Sequence, residues 1–189
     1  MCKINELFQA YFKANHYSYG YDLQDQVETT EQVGFVISGV VSVNYEREGE
    51  TIMVSLATEG DLINHQTVYA PSCSKQYTYI VETEEASVLL IPVALFRKEL
   101  VKNPELLPLL GRQLSYGLIE ASESAAIIAV KSNAVRVEQS MERLREYGIT
   151  RVSSIRLSAL TGFSRRYAGK LRSSLGYGRT RVLTKHSFD

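Results

Sequence analysis

Ser153-Ser154-Ile155-Arg156-Leu157-Ser158-Ala159-Leu160-Thr161-Gly162-Phe163-Ser164-Arg165-Arg166-Tyr167-Ala168-Gly169-Lys170-Leu171-Arg172 reads as two short helices hinged at a glycine. Ser153 is a natural N-cap for the first, because its hydroxyl accepts from a backbone N–H that has no partner within the helix. Leu157 and Leu160, three apart, share a helix face. Gly162 stands where that helix should end in a left-handed residue, a conformation glycine adopts without a Cβ penalty. Ser164 then caps a second helix whose Ala168, Leu171 and Leu175 recur at i, i+3 and i+7. Its other face carries Arg165, Arg166, Gly169, Lys170 and Ser173. One helix buried as a support and a second offering its N-terminal side chains is the helix-turn-helix plan for a major groove. An ordinary helical hairpin with a solvated basic face fits the spacing equally.

Charge separates the two readings. Residues 151–189 carry nine lysines and arginines against one acid, a net of +8, whereas residues 1–150 carry 12 bases and 20 acids, a net of −8. An acidic body with a basic end is the distribution expected when that end meets phosphate. At 189 residues the chain holds one large domain, or one medium and one small. Hydrophobic content of 44% and charged content of 22% are those of a soluble globular protein. No run of 18 apolar residues exists, and Met1 to Glu6 lacks the apolar core of a signal peptide, so the expected location is the cytoplasm, away from membrane. Cys2 and Cys73 form no CxxC pair, and His16, His65 and His186 are widely spaced. No disulfide framework, metal or cofactor is expected from them.

Outward from the hairpin, the periodicity divides the chain. Ile4, Leu7, Phe8, Tyr11 and Phe12 predict an amphipathic helix over residues 3–15. From Gly20 to about Ile91 the period is two. Phe35 to Tyr45 is rich in β-branched residues and is interrupted by Gly39, as at a strand-to-strand step or a bulge. Glu46 to Glu50 is a hairpin tip, Thr51 to Leu56 returns as a strand, and Tyr77–Val81 and Ala86–Ile91 are two more. Short strands at this interval suggest an antiparallel barrel or jelly roll. Val93 to Val101 is a helix, Asn103-Pro104 punctuates, and a long helix runs from about Glu105 past Ala129. Its Leu107, Leu110, Leu114, Gly117, Ala121, Ser124 and Ile128 alternate in steps of three and four, the seam of a coiled coil. A helix packed on its own barrel also needs such a stripe. The length of the helix, and the habit of groove-reading hairpins to work in pairs, favour a dimer interface at Leu110, Leu114, Gly117, Ala121, Ser124 and Ile128. Arg136 to Tyr147 is a further helix, ended by Gly148.

Barrel, long helix and C-terminal helix-turn-helix, in that order, resemble the cyclic-AMP receptor / FNR (Crp/Fnr) family of bacterial transcription regulators. The resemblance is carried by Val36 to Val43, by the turn Gly60-Asp61-Leu62-Ile63, and by Thr161 to Leu171, which is similar to the family's Gly-x-Ser-Arg-x-x-x-Gly-Arg/Lys-Leu signature. It implies an α+β fold. An N-terminal antiparallel β-barrel, a jelly roll of the cyclic-nucleotide-binding-like kind, would occupy residues 1–104. A dimerisation helix would follow over 105–132, and a winged helix-turn-helix over 133–189. It also implies a homodimeric regulator, not an enzyme, on a palindromic double-stranded DNA site, with RNA polymerase a further candidate partner and the small-molecule effector unassigned. The DNA contacts it implies are Ser164, Arg165, Arg166 and Lys170, joined by Arg179 and Arg181 from a minimal wing or a loose tail.

The departures bear on the effector. Cyclic-nucleotide binders of this family hold ribose and phosphate with a Gly-Glu pair and, about ten residues on, an Arg-Ser or Arg-Ala pair. Those positions fall here on Asn64-His65 and near Lys75-Gln76-Tyr77. Lys75 offers a point charge without the bidentate fork of an arginine, and Tyr77 occupies the small residue's place. The expectation is a degenerate pocket that does not respond to cyclic nucleotides. The iron–sulfur members need four thiolates, and this chain has two cysteines in all. The alternative function is a barrel-based small-molecule sensor or adaptor acting through protein contacts. A cupin-like enzyme would need several inward His/Glu ligands, and His65 is the lone barrel histidine.

Overall fold

The computed structural model describes residues 7–8, 12–28, 31–70, 77–150 and 152–177. Of the helix expected over 3–15, Leu7 and Phe8 are described as helical. Lys75, Gln76, Arg179, Arg181 and the expected wing lie outside the described residues. The chain separates into two compact units, 1–123 and 124–189.

In the first unit the strands form two antiparallel sheets. β1 (Asn15–Ser18), β7 (Glu85–Pro92), β2 (Gln32–Ser38) and β5 (Leu62–Ile63) lie side by side in that order, and β4 (Glu50–Ala57), β3 (Val41–Arg47) and β6 (Tyr77–Val81) make the other sheet. The expected barrel is therefore a two-sheet arrangement, and no closed barrel is found among the described residues. Gly39 lies at one crossing between the two sheets. At φ +85 it turns the chain from β2 in one sheet to β3 in the other, and a Cβ there would stand 2.6 Å from the Glu85 carbonyl oxygen. The β3–β4 tip uses Glu48 and Gly49, both left-handed, the conformation a two-residue hairpin needs.

Alternation along the strands sorts the side chains into two cores. Val36, Val88, Leu90 and Ile63 join Val41, Tyr79, Val81 and Ala57 between the sheets, where Leu23 and Val27 of the short helix α1 (Gln24–Glu28) also pack. Val33, Phe35, Leu62, Leu89 and Ile91 face the other way, against Val93, Phe96 and Leu100 of α2 (Val93–Lys102), with Phe8, Leu106 and Leu110. Full burial of such side chains stabilises by roughly 1.5–3 kcal/mol each.

A single 3₁₀ turn at Pro104–Leu106 leads into α3 (Leu107–Ala129), and the boundary between the units falls inside this helix. The expected seam is divided by the structure. Leu110, 3% exposed, lies in the first unit's core, and Ser124 is buried where its hydroxyl accepts from Arg143 at 2.5 Å. Both are thus closed to a partner chain. Gly117, Ala121 and Ile128 are half-buried, and Leu114 is exposed. The reason is that α3 carries two neighbouring apolar rows, and packing within the chain uses the one containing Leu110 and Ser124. No helix among the described residues is long and apolar enough to cross a membrane.

Among its described residues the second unit holds three further helices, α4 (Asn133–Glu146), α5 (Ser154–Thr161) and α6 (Arg165–Ser174). Val137 and Met141 of α4, Leu157 of α5 and Ala168 of α6 form its core, with Leu171 and Leu175 packed against it. Ser132 caps α4, which starts three residues before the position its apolar period suggests.

Candidate nucleic-acid interface

The hairpin is built by its serines and its glycine. The Ser153 hydroxyl accepts from the Arg156 amide at 3.1 Å and starts α5. Gly162, at φ 67 and ψ 13, closes α5, and its amide donates to the Ser158 carbonyl. The turn is tied twice more. The Ser158 hydroxyl donates to the Phe163 carbonyl at 2.5 Å, and the Thr161 hydroxyl donates to Leu157 O while accepting from the Phe163 amide. The Ser164 hydroxyl then accepts from the Tyr167 amide at 3.4 Å and caps α6.

This geometry sorts the nine bases counted in the C-terminal 39 residues. Arg156 is buried, and Arg172 turns back to donate to the Val152 carbonyl. Arg165, Arg166 and Lys170 stand exposed on α6, and among the described residues none of the three is held by a hydrogen bond or an ion pair. Arg151, Arg179, Arg181 and Lys185 lie outside the described residues. The structure thus brings Ser164, Arg165, Arg166 and Lys170 onto one helix that begins at a side-chain cap. A helix start points N–H groups and the positive end of its dipole outward, so anions are favoured there.

Two residues that the sequence pattern passed over support this face. Arg136 on α4 lies 4.6 Å from the centre of the Phe163 ring, and Asn133 at the start of α4 donates to the Tyr167 phenol oxygen at 2.9 Å. An aromatic residue in the first turn of a basic helix is a local signal for Tyr167. Nothing local marks Asn133 or Arg136.

In the first unit, the described residues of the expected nucleotide cradle, Asn64, His65 and Tyr77, make contacts within the fold. Asn64 is 1% exposed and left-handed at φ 56. Its amide donates to Val27 O at 3.0 Å and Gln32 O at 2.8 Å, and its carbonyl oxygen accepts from the Tyr79 hydroxyl at 3.2 Å. Tyr79 is fully buried between the sheets, and its oxygen also accepts from Gln66 at 2.7 Å. Tyr77 is half-buried and meets Tyr45 edge-on at 5.4 Å. His65 Nδ1 lies 3.0 Å from Leu62 O. Burial pushes its imidazole below the ordinary value, against the smaller upward pulls of that carbonyl and of Asp61. His65, Asn64, Asp61, Gln113, Tyr116 and Glu120 border a cavity of about 60 Å³. Tyr69 is 66% exposed and lines an apolar groove of about 510 Å³ with Val68, Leu100, Val101 and Leu107, so it does not fill the interior.

No protein-family model matches the chain, and no curated protein matches its sequence significantly. Solved structures do resemble it. The c-di-GMP-responsive global regulator CLP of Xanthomonas campestris is 21% identical with a TM-score of 0.75, over 93% of this chain and 94% of that one. A CRP-family transcriptional regulator from Thermus thermophilus is 14% identical with a TM-score of 0.70, over 88% of each chain. A CRP/FNR-family regulator from the same organism is 18% identical with a TM-score of 0.65, over 90% of each. The two Thermus thermophilus structures are CRP- and CRP/FNR-family transcriptional regulators, and this chain shares the fold of all three neighbours.

Proposed function

We propose that this chain is a homodimeric transcription regulator of the Crp/Fnr type that binds a palindromic double-stranded DNA site through α6 and does not respond to cyclic AMP or cyclic GMP. The observation that carries the reading is the exposed set Arg165, Arg166 and Lys170, without a hydrogen-bond or ion-pair partner among the described residues, on a helix capped by Ser164. The fold shared with Crp/Fnr regulators supports it. Arg166 fits guanine O6 and N7 with its fork, and Arg165 and Lys170 meet base edges or the flanking phosphates. Arg179 and Arg181 would add phosphate contacts from the C-terminal end.

The partner in the dimer is a second α3. Leu107, Leu114 and Leu118 are 47%, 46% and 70% exposed, and with Gly111, Ala121 and Ala125 they form a row in alternating steps of three and four. This row lies beside the one closed off by Leu110 and Ser124. Absence of a cyclic-nucleotide response is supported by Asn64, whose side chain is spent on the Val27 and Gln32 carbonyls and on the Tyr79 hydroxyl. RNA polymerase remains the further candidate partner, and the effector is unassigned.

The deciding experiment is selection of bound sites from random DNA, followed by titration across salt. A regulator enriches a palindrome and loses affinity steeply with salt, because phosphate contacts release counterions. A sensor or adaptor working through protein contacts enriches no site and shows a shallow slope.

A further inference from the structure

Tyr167 is a large aromatic residue among the bases in the first turns of α6. It is 40% exposed, so it is not there to fill the three-helix core. Its ring is nevertheless held. Phe163 meets it edge-on at 5.2 Å and 80°, and the Arg136 guanidinium lies over Phe163 at 4.6 Å. Arg136 is fixed in turn by its bonds to the Val130 and Thr161 carbonyls. At the tip of the ring, the Asn133 amide donates to the phenol oxygen at 2.9 Å. A phenol oxygen that accepts from an amide keeps its own proton to give, and the bond already made turns that proton away from Asn133. Among the described residues no acceptor takes it.

We propose that Tyr167 is a contact to the DNA backbone, its O–H donating to a phosphate oxygen, with Asn133 as the positioning residue that aims it. This rests on the DNA-binding reading above. Phosphate is the acceptor because the hydroxyl is tied sideways to the start of α4. That places it at the margin of α6, where the wall of a groove passes, and away from the base edges beneath the helix. A phosphate oxygen is also a charged acceptor, which strengthens a neutral donor's bond.

The test compares the full-length chain with Tyr167→Phe and Asn133→Ala on DNA selected by the wild type and on scrambled DNA, each across salt. Thermal melts confirm that both variants fold. Tyr167→Phe should lose about tenfold in affinity on both DNAs, the effect of one hydrogen bond to a charged acceptor. Base preference and salt slope should not change, since no charge is removed. Asn133→Ala should lose less than about threefold, because the tyrosine keeps its proton. Equal losses in the two variants would reduce the pair to a tie between helices and overturn the proposal. A changed base preference in Tyr167→Phe, or no loss, would overturn it as well. A wild type that binds no DNA defeats the DNA-binding reading itself, and does so before any variant is compared.

Discussion

Arg136 grips the backbone oxygen of Val130 with two nitrogens, Nε at 3.1 Å and Nη2 at 2.6 Å. Its third nitrogen, Nη1, donates to Thr161 O at 3.2 Å. One guanidinium therefore satisfies the carbonyl just past the end of α3 and the last carbonyl of α5, where helices leave acceptors without partners. Arg136→Met should destabilise the chain by about 1.5–3 kcal/mol, the range for hydrogen bonds to a charged group. Arg136→Lys should fall between, since an ammonium lacks the fork. Urea unfolding measures this, and a methionine variant as stable as wild type would show that water caps both ends equally well.

The two apolar rows of α3 should respond oppositely to substitution. Leu118→Glu, on the exposed row, should dissociate the dimer while leaving the fold intact. Leu110→Ala, in the core of the first unit, should cost about 2–5 kcal/mol of stability without dissociating a dimer that is still folded. Sedimentation and melting distinguish them. A dimer unaffected by Leu118→Glu rules out the exposed row as the interface.

Base reading should centre on Arg166. Arg166→Ala should cost about 1–3 kcal/mol on the selected site and relax preference at one symmetric pair of positions. Selection with the variant reads this out directly. An even loss over all sequences would make Arg166 a phosphate clamp and pass base reading to Arg165 or Lys170.

Cyclic AMP and cyclic GMP at millimolar concentration should produce no saturable heat in calorimetry and leave DNA affinity unchanged. Saturable binding abolished by Lys75→Ala would reveal a different cradle in which Lys75 supplies the charge.

His65 should make stability depend on pH. Desolvation lowers its folded value below the ordinary 6.5, so the folded chain binds the proton less readily than the unfolded chain. Its contribution is complete above that unfolded value and is lost as pH falls through it toward the lowered folded value. Between about pH 7.5 and 5.5 the wild type should lose more stability than His65→Gln, as measured by urea unfolding. Equal losses would assign the pH dependence to other groups.

Much of this architecture was written locally. Ser153, Gly162 and Ser164 mark the ends of α5 and α6 because a cap depends on the backbone within three or four residues of it. The β-branched runs in β2, β3 and β7 were legible for a similar reason, since a strand buried on one or both faces needs apolar residues in a period of two. Other features existed only after distant parts met. β1, Asn15-His16-Tyr17-Ser18, has no apolar alternation and is a strand because it pairs with β7. Gly39 signalled a step or a bulge, and only the pairing of β2 and β3 with different neighbours made it a crossing between sheets. On α3 the sequence offers adjacent apolar rows, and the position of the first unit's core decides that Leu110 goes inward and Leu118 outward. A charge count treats Arg156 and Arg172 like Arg165 and Arg166, because net charge carries no information about burial. Packing turned the first pair inward and left the second on the surface, and it brought Asn133 within 2.9 Å of Tyr167 across 34 residues of chain.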